Sequence, residues 1–122
     1  MRAILLPFDK PYELVEVDNQ NFDNYYKHID CNVVDTIKFR VSNSQEIYIL
    51  WFDRDGKLKQ CPRVNQLATH LLRDAGVRID SIIGRVLITK EGKDGKDAGI
   101  TKEDAQALCA GIRKHIDKFG DE

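Results

Sequence analysis

The chain has 122 residues, of which 42% are hydrophobic and 32% are charged, a composition typical of a globular protein and not of a disordered or fibrous one. Its 19 Lys and Arg residues against 20 Asp and Glu residues leave a formal net charge of -1. This balance excludes bulk electrostatic capture of nucleic acid or of an acidic membrane surface. The length fits one domain, and we predict a single domain over 1–122.

The first part of the chain predicts a hairpin followed by a short helix. Arg2–Leu6 and Tyr12–Val17 are apolar segments separated by a polar turn with two prolines, as expected of two neighbouring strands. Four apolar residues then recur at the spacing of one helix face: Phe22, Tyr25, Tyr26 and Ile29. We therefore expect two strands and then one short helix.

The middle of the chain predicts further strands. Residues 37–41 alternate between apolar and basic side chains, which indicates a half-buried strand. Glu46–Phe52 is apolar on both faces, so we expect it at the centre of the sheet. Asp53–Gly56 predicts a tight turn, after which Lys57–Gln60 is expected to pair back as an edge strand.

The second half predicts a helix, a strand and a final helix. After Pro62, apolar residues recur at helical spacing, and Gly76 is placed to end that helix: Val64, Leu67, Ala68, Leu71 and Leu72. Ile82–Thr89 is rich in β-branched residues and predicts a strand. Thr101 and Asp104 predict a capping box at the start of a helix over about 101–119.

These elements predict an α+β fold class. We expect a mostly antiparallel sheet of about five strands, two short helices and one longer C-terminal helix. The apolar stretches are too short to span a membrane. The thiols and the absence of an apolar leader after Met1 predict a cytoplasmic protein.

Catalytic and metal-binding patterns are weak. The chain has three cysteines, too far apart for a Cys-x-x-Cys pair: Cys31, Cys61 and Cys109. The three histidines share no metal-ligand spacing with them. His28 and Cys31 are near in sequence, but a packed cysteine is favoured over a reactive pair. We predict no metal, no cofactor and no catalytic residue.

Two segments are better suited to binding. Arg63 and Asn65 stand at the entrance to the second helix, where they present a guanidinium fork and an amide to a ligand, or where Asn65 bridges backbone groups of the adjoining loop. The helix that opens at Thr101 offers N–H groups beside Lys102, which suit a phosphate. Trp51 is either a core anchor or a stacking platform.

Three motifs carry a family resemblance. They are Phe-Asp-Arg-Asp-Gly at 52–56, Pro-Arg-Val-Asn at 62–65 with Ala68, and Ile-Ile-Gly-Arg-Val-Leu-Ile-Thr at 82–89. Their order resembles domain-of-unknown-function family 3846, whose small proteins occur in bacteriophages, mobile elements and their bacterial hosts. The resemblance covers most of residues 1–90 and implies a phage-type accessory protein made inside a bacterial cell.

The resemblance and the missing catalytic set favour a non-enzymatic binding protein. It would act as a counter-defence inhibitor that sequesters a small nucleotide signal or blocks a host defence protein. For a nucleotide, the predicted ligand-binding residues are Arg63, Asn65, Arg85, Thr101 and Lys102. One alternative is a homo-oligomeric protein–protein adaptor that associates through the final helix. Another is a nucleotide-processing enzyme whose site is assembled from residues distant in sequence.

Overall fold

The structure, a computed structural model, describes residues 1–7, 12–18, 21, 23–41, 45–58, 62–92, 97–101, 103–104 and 108. The strands among them are β1 (Arg2–Leu6), β2 (Glu13–Glu16), β3 (Val34–Phe39), β4 (Tyr48–Asp53), β5 (Val86–Glu91) and β6 (Asp97–Ala98). The helices are α1 (Asp23–Ile29) and α2 (Gln66–Asp74), and Gly56–Leu58 forms a 3-10 turn.

The strands of the described residues form one antiparallel sheet in the order β2-β1-β5-β4-β3. Its central strand, β5, pairs with β1 through Ile4 and Ile88 and with β4 through Leu50 and Ile88. The short β6 pairs with Lys90 and Glu91. At Lys90, one side of β5 is paired with β4, so β6 pairs with the other side. That is the side on which β1 pairs with Val86–Ile88, so β6 lies beyond the start of β1 along the same side of β5.

Both faces of the sheet are covered, because alternate side chains of a strand point to opposite sides. On one face, Leu50 and Val86 pack with the apolar side of α2. On the other, Leu5 and Leu87 pack with Tyr25 of α1. The sheet therefore lies between α1 and α2, with a core on each side.

The helix α2 forms from an amphipathic segment that has a capping residue before it and a glycine after it. Its apolar side is buried against the sheet through Leu67, Leu71 and Leu72. Asn65 caps its N-terminus, and Gly76 follows its end with a φ of +86, a conformation that suits glycine. Neither α1 nor α2 has the length and apolar character that crossing a bilayer requires.

Several predicted elements are confirmed. The strands β1 and β2 pair antiparallel as a hairpin. In the turn after β4, the Asp55 backbone N–H donates a hydrogen bond to Asp53 Oδ1 at 3.0 Å. The strand predicted at Glu46–Phe52 is β4, and its two apolar faces are buried as expected. The capping box of Thr101 and Asp104 is also present.

Three local predictions are wrong. The central strand is β5 and not β4, because strand order follows pairing with the distant β1. The last predicted strand begins at Val86 and not at Ile82, because Gly84, at a φ of +85, interrupts the extended chain. The edge strand predicted at Lys57–Gln60 is replaced by the 3-10 turn as far as Leu58, and the two residues after it lie outside the described part of the chain.

The predicted fold class also needs correction. The structure has the sheet-dominated α+β architecture, but its helices among the described residues are α1 and α2, without the longer C-terminal helix. Of the predicted span 101–119, Glu103, Asp104 and Leu108 are described as helical, and the rest lies outside the described residues. An apolar period shows which side of a helix would be buried, but helical stability in proteins comes mainly from packing. The predicted self-association through the final helix concerns the same residues, most of which lie outside the described part of the chain.

Candidate functional site

Asn65 holds the entrance to α2 against the sheet. Its side chain is fully buried, and its Oδ1 accepts a hydrogen bond from the Ala68 backbone N–H at 3.0 Å. Its Nδ2 donates to the backbone carbonyls of Leu6 and Gly84, both at 2.9 Å. Both amide N–H groups and the amide oxygen are thus engaged with backbone, so the structure has the bridging arrangement and presents no Asn65 amide to a ligand.

Thr69 extends this network one turn further. Its hydroxyl donates to the Asn65 carbonyl at 2.8 Å and accepts from the Ile82 backbone N–H at 2.9 Å. The Asn65 backbone N–H in turn donates to the Ile82 carbonyl at 2.7 Å. Sequence reasoning missed Thr69, although a hydroxyl among the apolar residues of a buried helix face is a signal, because it needs a polar partner.

The same segment brings two arginines from distant parts of the chain side by side. Val64 and Ile83 form an isolated antiparallel bridge, and the Gly84 backbone N–H donates to the Arg63 carbonyl at 2.8 Å. Arg63 therefore lies across from Gly84, next to Arg85. Neighbouring paired segments are about 5 Å apart, so the backbone positions that carry the two arginines are close together.

Arg85 differs from Arg63 in its surroundings. Arg63 is exposed, whereas Arg85 is half-buried. The Nε of Arg85 is enclosed by protein and has no hydrogen-bond partner among the described residues. A buried donor without an acceptor is costly, since its hydration is lost and not replaced. Because this Nε is enclosed, an acceptor oxygen from outside reaches it only if the surrounding side chains move.

Two exposed apolar side chains flank the arginines. Leu58 is 84% exposed and Val64 is 43% exposed. Val64 pairs with Ile83, and Gly56, two residues before Leu58, is close to the same residue, since a Cβ placed on Gly56 would lie 3.0 Å from the Ile83 Cβ. We refer to Leu58, Arg63, Val64 and Arg85 together as the entrance surface.

Acidic groups border the entrance surface. The β4–β5 pairing ends at Trp51 and Leu87, two residues from Asp53 on one strand and two residues from Arg85 on the other. Asp53 is buried. Lys57 pairs with the exposed Asp80 at 3.9 Å, between Nζ and Oδ2. The site is thus a local arrangement of cations with nearby carboxylates and does not produce a field of one sign.

Thr101 lies at the opposite end of the sheet from the two arginines. The Ile100 backbone N–H donates to the Arg2 carbonyl at 2.9 Å, at the start of β1, whereas Asn65 contacts Leu6 at its end. Four residue steps of a strand span about 13 Å. Lys102 lies outside the described residues. The structure therefore groups Arg63 and Arg85 and leaves Thr101 apart from them.

Two backbone amides at the helix start, those of Thr101 and Asp104, are engaged with protein groups. The Thr101 backbone N–H donates to Asp104 Oδ2 at 2.9 Å, and the Asp104 backbone N–H donates to Thr101 Oγ1 at 3.1 Å. Asp104 also accepts from the Tyr48 hydroxyl at 3.0 Å and pairs with the Lys90 Nζ at 2.9 Å. The carboxylate of Asp104 is thus held at the helix start by backbone and side-chain donors of the protein.

The pKa of Asp104 reflects this network. Burial alone would raise the pKa of the carboxyl, but the hydrogen bond from the Thr101 backbone opposes that effect, and the side chains of Lys90, Thr101 and Tyr48 add to the opposition. Together these hydrogen bonds hold the pKa of Asp104 below its ordinary value. Lys90 and Tyr48 were not singled out from the sequence, and no local pattern marks them as partners.

The residues considered for catalysis lie elsewhere. A depression of about 410 Å³ at the end of α1 is lined by charged and polar groups, with Cys31 but not His28 among them: Tyr26, Lys27, Asp30, Cys31, Asn32, Asp53 and Asp55. No group of three or more His, Cys, Asp and Glu residues within the described ranges is placed to hold a metal ion.

Trp51 is placed as a core residue. It is half-buried, and its ring lies edge-on to Tyr25 with centroids 4.7 Å apart. Its indole N–H donates to the Thr89 hydroxyl at 2.9 Å. Both ends of the ring are thus engaged within the protein, which is the core-anchor arrangement.

Comparison with known proteins places the chain in a family. Neither the curated proteins nor the solved structures include a match to it. The match to a family described as "Domain of unknown function (DUF3846)" covers residues 1–114, well beyond the first 90 residues that carry the resemblance in sequence. The chain therefore belongs to the DUF3846 family.

Proposed function

We propose that this protein is a non-enzymatic accessory binding protein that captures a phosphate-bearing ligand at the entrance surface. The observation that carries this proposal is the Val64–Ile83 bridge, which sets Arg63 across from Gly84 and beside Arg85, so that two guanidinium-bearing residues stand on paired segments. Guanidinium groups match phosphate oxygens in geometry as well as in charge.

Binding is favoured over turnover by the chemistry of the residues at this surface. Arginine stays protonated in proteins, so Arg63 and Arg85 can hold an anion but cannot transfer a proton at neutral pH. Leu58 and Val64 add no reactive group. Asn65, which follows Val64, is committed to three backbone partners.

The biological setting of the proposal comes from the family. The resemblance of the three sequence motifs to this family implies a phage-type accessory protein, so we propose that the chain acts in the cytoplasm of a bacterial host. There it would act against host defence by holding a nucleotide signal, and the arginine pair favours such a ligand over a host defence protein, since phosphate oxygens are what the pair recognises.

Isothermal titration of the full chain tests the proposal. We expect cyclic or linear nucleotides to bind, and R85A and R63A each to weaken binding at least tenfold, because each removes a guanidinium–phosphate contact. R78A is the matched control, since Arg78 is an exposed arginine in the loop after α2. The proposal fails if no nucleotide gives heat, or if R85A and R78A weaken binding equally.

A further inference from the structure

The strand β3 forms an outer edge of the sheet, since among the described strands it pairs with β4 alone. In an antiparallel pair, the backbone groups of successive residues point alternately toward the partner strand and away from it. The Arg54 backbone N–H donates to the Val33 carbonyl at 3.1 Å, which fixes this alternation for the whole β3–β4 register. The residues whose backbone groups point away from β4 are therefore Val34, Thr36 and Lys38.

The central N–H on this outer edge is already bound by a carboxylate of the same strand. The Thr36 backbone N–H donates to Asp35 Oδ1 at 2.9 Å. Asp35 also pairs with Arg54, at 3.9 Å between Oδ2 and Nε, and its side chain is 51% exposed. The carboxylate thus takes the place of the carbonyl that a further strand would offer to Thr36.

We infer that the Asp35–Thr36 contact is an autoinhibitory cap that prevents a second copy of the chain from adding its own β3 to this edge. An edge strand is a ready template for pairing with another chain. Two copies related by a two-fold axis at Thr36 would pair this residue with its equivalent, and each Thr36 N–H would donate to the other copy's carbonyl. Asp35 competes for that same N–H.

The register of such a dimer shows why Asp35 decides the outcome. With Thr36 opposite its equivalent, Val34 lies opposite Lys38 and Asp35 lies opposite Ile37, so no like charges face each other. Pairing would, however, take the Thr36 N–H from Asp35 and place its carboxylate beside the half-buried Ile37 of the other copy. Both changes are unfavourable for a charged group.

Size-exclusion chromatography with light scattering of the full chain tests the cap. We expect the wild type to be monomeric. D35A should form a dimer of twice the monomer mass, in a fraction that rises with protein concentration. D35N keeps a side-chain oxygen acceptor without the charge, so it should stay monomeric at concentrations where D35A dimerises.

Two further variants control for charge and for the site of pairing. D80A removes another carboxylate from an exposed ion pair of 3.9 Å, with Lys57, but Asp80 lies outside the strands, so D80A should remain monomeric. D35A/T36P should return to a monomer, because proline has no N–H to donate and is tolerated on an edge strand where that position faces solvent. Circular-dichroism spectra check that each variant is folded.

The outcomes that would overturn the inference are distinct. A dimeric wild type would show that the edge is not capped, and a monomeric D35A would show that the cap prevents nothing. Equal association of D35A with D80A or with D35N would assign the effect to lost charge, and a dimeric D35A/T36P would place the pairing elsewhere. Since these measurements involve no ligand, they are independent of the proposed function.

Discussion

The two ends of β1 are joined to the rest of the molecule by different chemistry. At the Leu6 end, the neutral amide of Asn65 connects β1, the Gly84 segment and α2. At the Arg2 end, the chain around Thr101 is held through the Asp104–Lys90 ion pair and the Tyr48 hydroxyl. A neutral network keeps its strength across pH, whereas an ion pair depends on the ionisation of both partners.

The largest effect is expected at the neutral end. N65A should lower the free energy of unfolding by about 4 kcal/mol, because it removes the amide partner of the buried Leu6 carbonyl, the partly buried Gly84 carbonyl and the buried Ala68 N–H. Urea unfolding followed by circular dichroism measures the loss. Q66A, at the exposed neighbouring position, should cost less than about 0.5 kcal/mol. Equal losses for N65A and Q66A would show that the bridging amide contributes nothing special.

A smaller but still large effect is expected at the charged end. D104N should cost about 3 kcal/mol, since it leaves the largely buried Lys90 ammonium without its counter-charge. K38M removes a solvent-exposed partner from the 2.6 Å pair with Glu91 and should cost less than about 1 kcal/mol. The K90M/D104L double variant should be more stable than D104N, because it removes both charges. If D104N lowers the free energy of unfolding no more than K38M does, the Asp104–Lys90 pair contributes no more than an exposed ion pair.

The smallest effect, and the sharpest test of the contrast, is pH dependence. Because the pKa of Asp104 is lowered on folding, its contribution to stability is present above its ordinary value of 3.8 and is lost as pH falls through the folded-state pKa. The stability difference between wild type and D104N should therefore shrink in acid. The difference between wild type and N65A should stay constant over the same range.

Urea unfolding at neutral pH and at several pH values below 3.8 measures both differences. Acid weakens every variant through other carboxylates, so each variant is compared with wild type at the same pH. If the D104N difference is unchanged in acid, the carboxylate charge does not stabilise the Arg2 end. If the N65A difference shrinks as much as that of D104N, the two ends do not differ in the way their chemistry predicts.

Local patterns predicted most of the elements, because each depends on residues close in sequence. The alternation in β4 identified both of its faces, and the apolar period of α2 identified its buried side. The Thr101–Asp104 box was identified because its partners are three residues apart. Strand order was not predictable in this way, since β5 lies at the centre through pairing with Ile4, 84 residues before Ile88.

The candidate site follows the same rule. Arg63 and Asn65 were recognisable from the sequence as polar residues at the start of a helix. Whether the Asn65 amide bridges backbone groups or faces a ligand depended on Leu6, 59 residues away. The grouping of Arg63 with Arg85 depended on a bridge that no local pattern marks. The polar partners of Asp104 were hidden for the same reason, because the Tyr48 hydroxyl is 56 residues distant.

The central position of β5 has a consequence for synthesis of the chain. A ribosome makes β1, β2, β3 and β4 before Val86 appears, so both hairpins that flank β5 exist before the strand that joins them. Until then, β1 and β4 each present an unpaired edge to the surroundings, and such edges invite pairing with other chains. Closing the sheet also requires contacts between residues far apart along the chain, which slows folding. The nascent protein therefore has a period of exposure that ends only when its fifth strand is inserted.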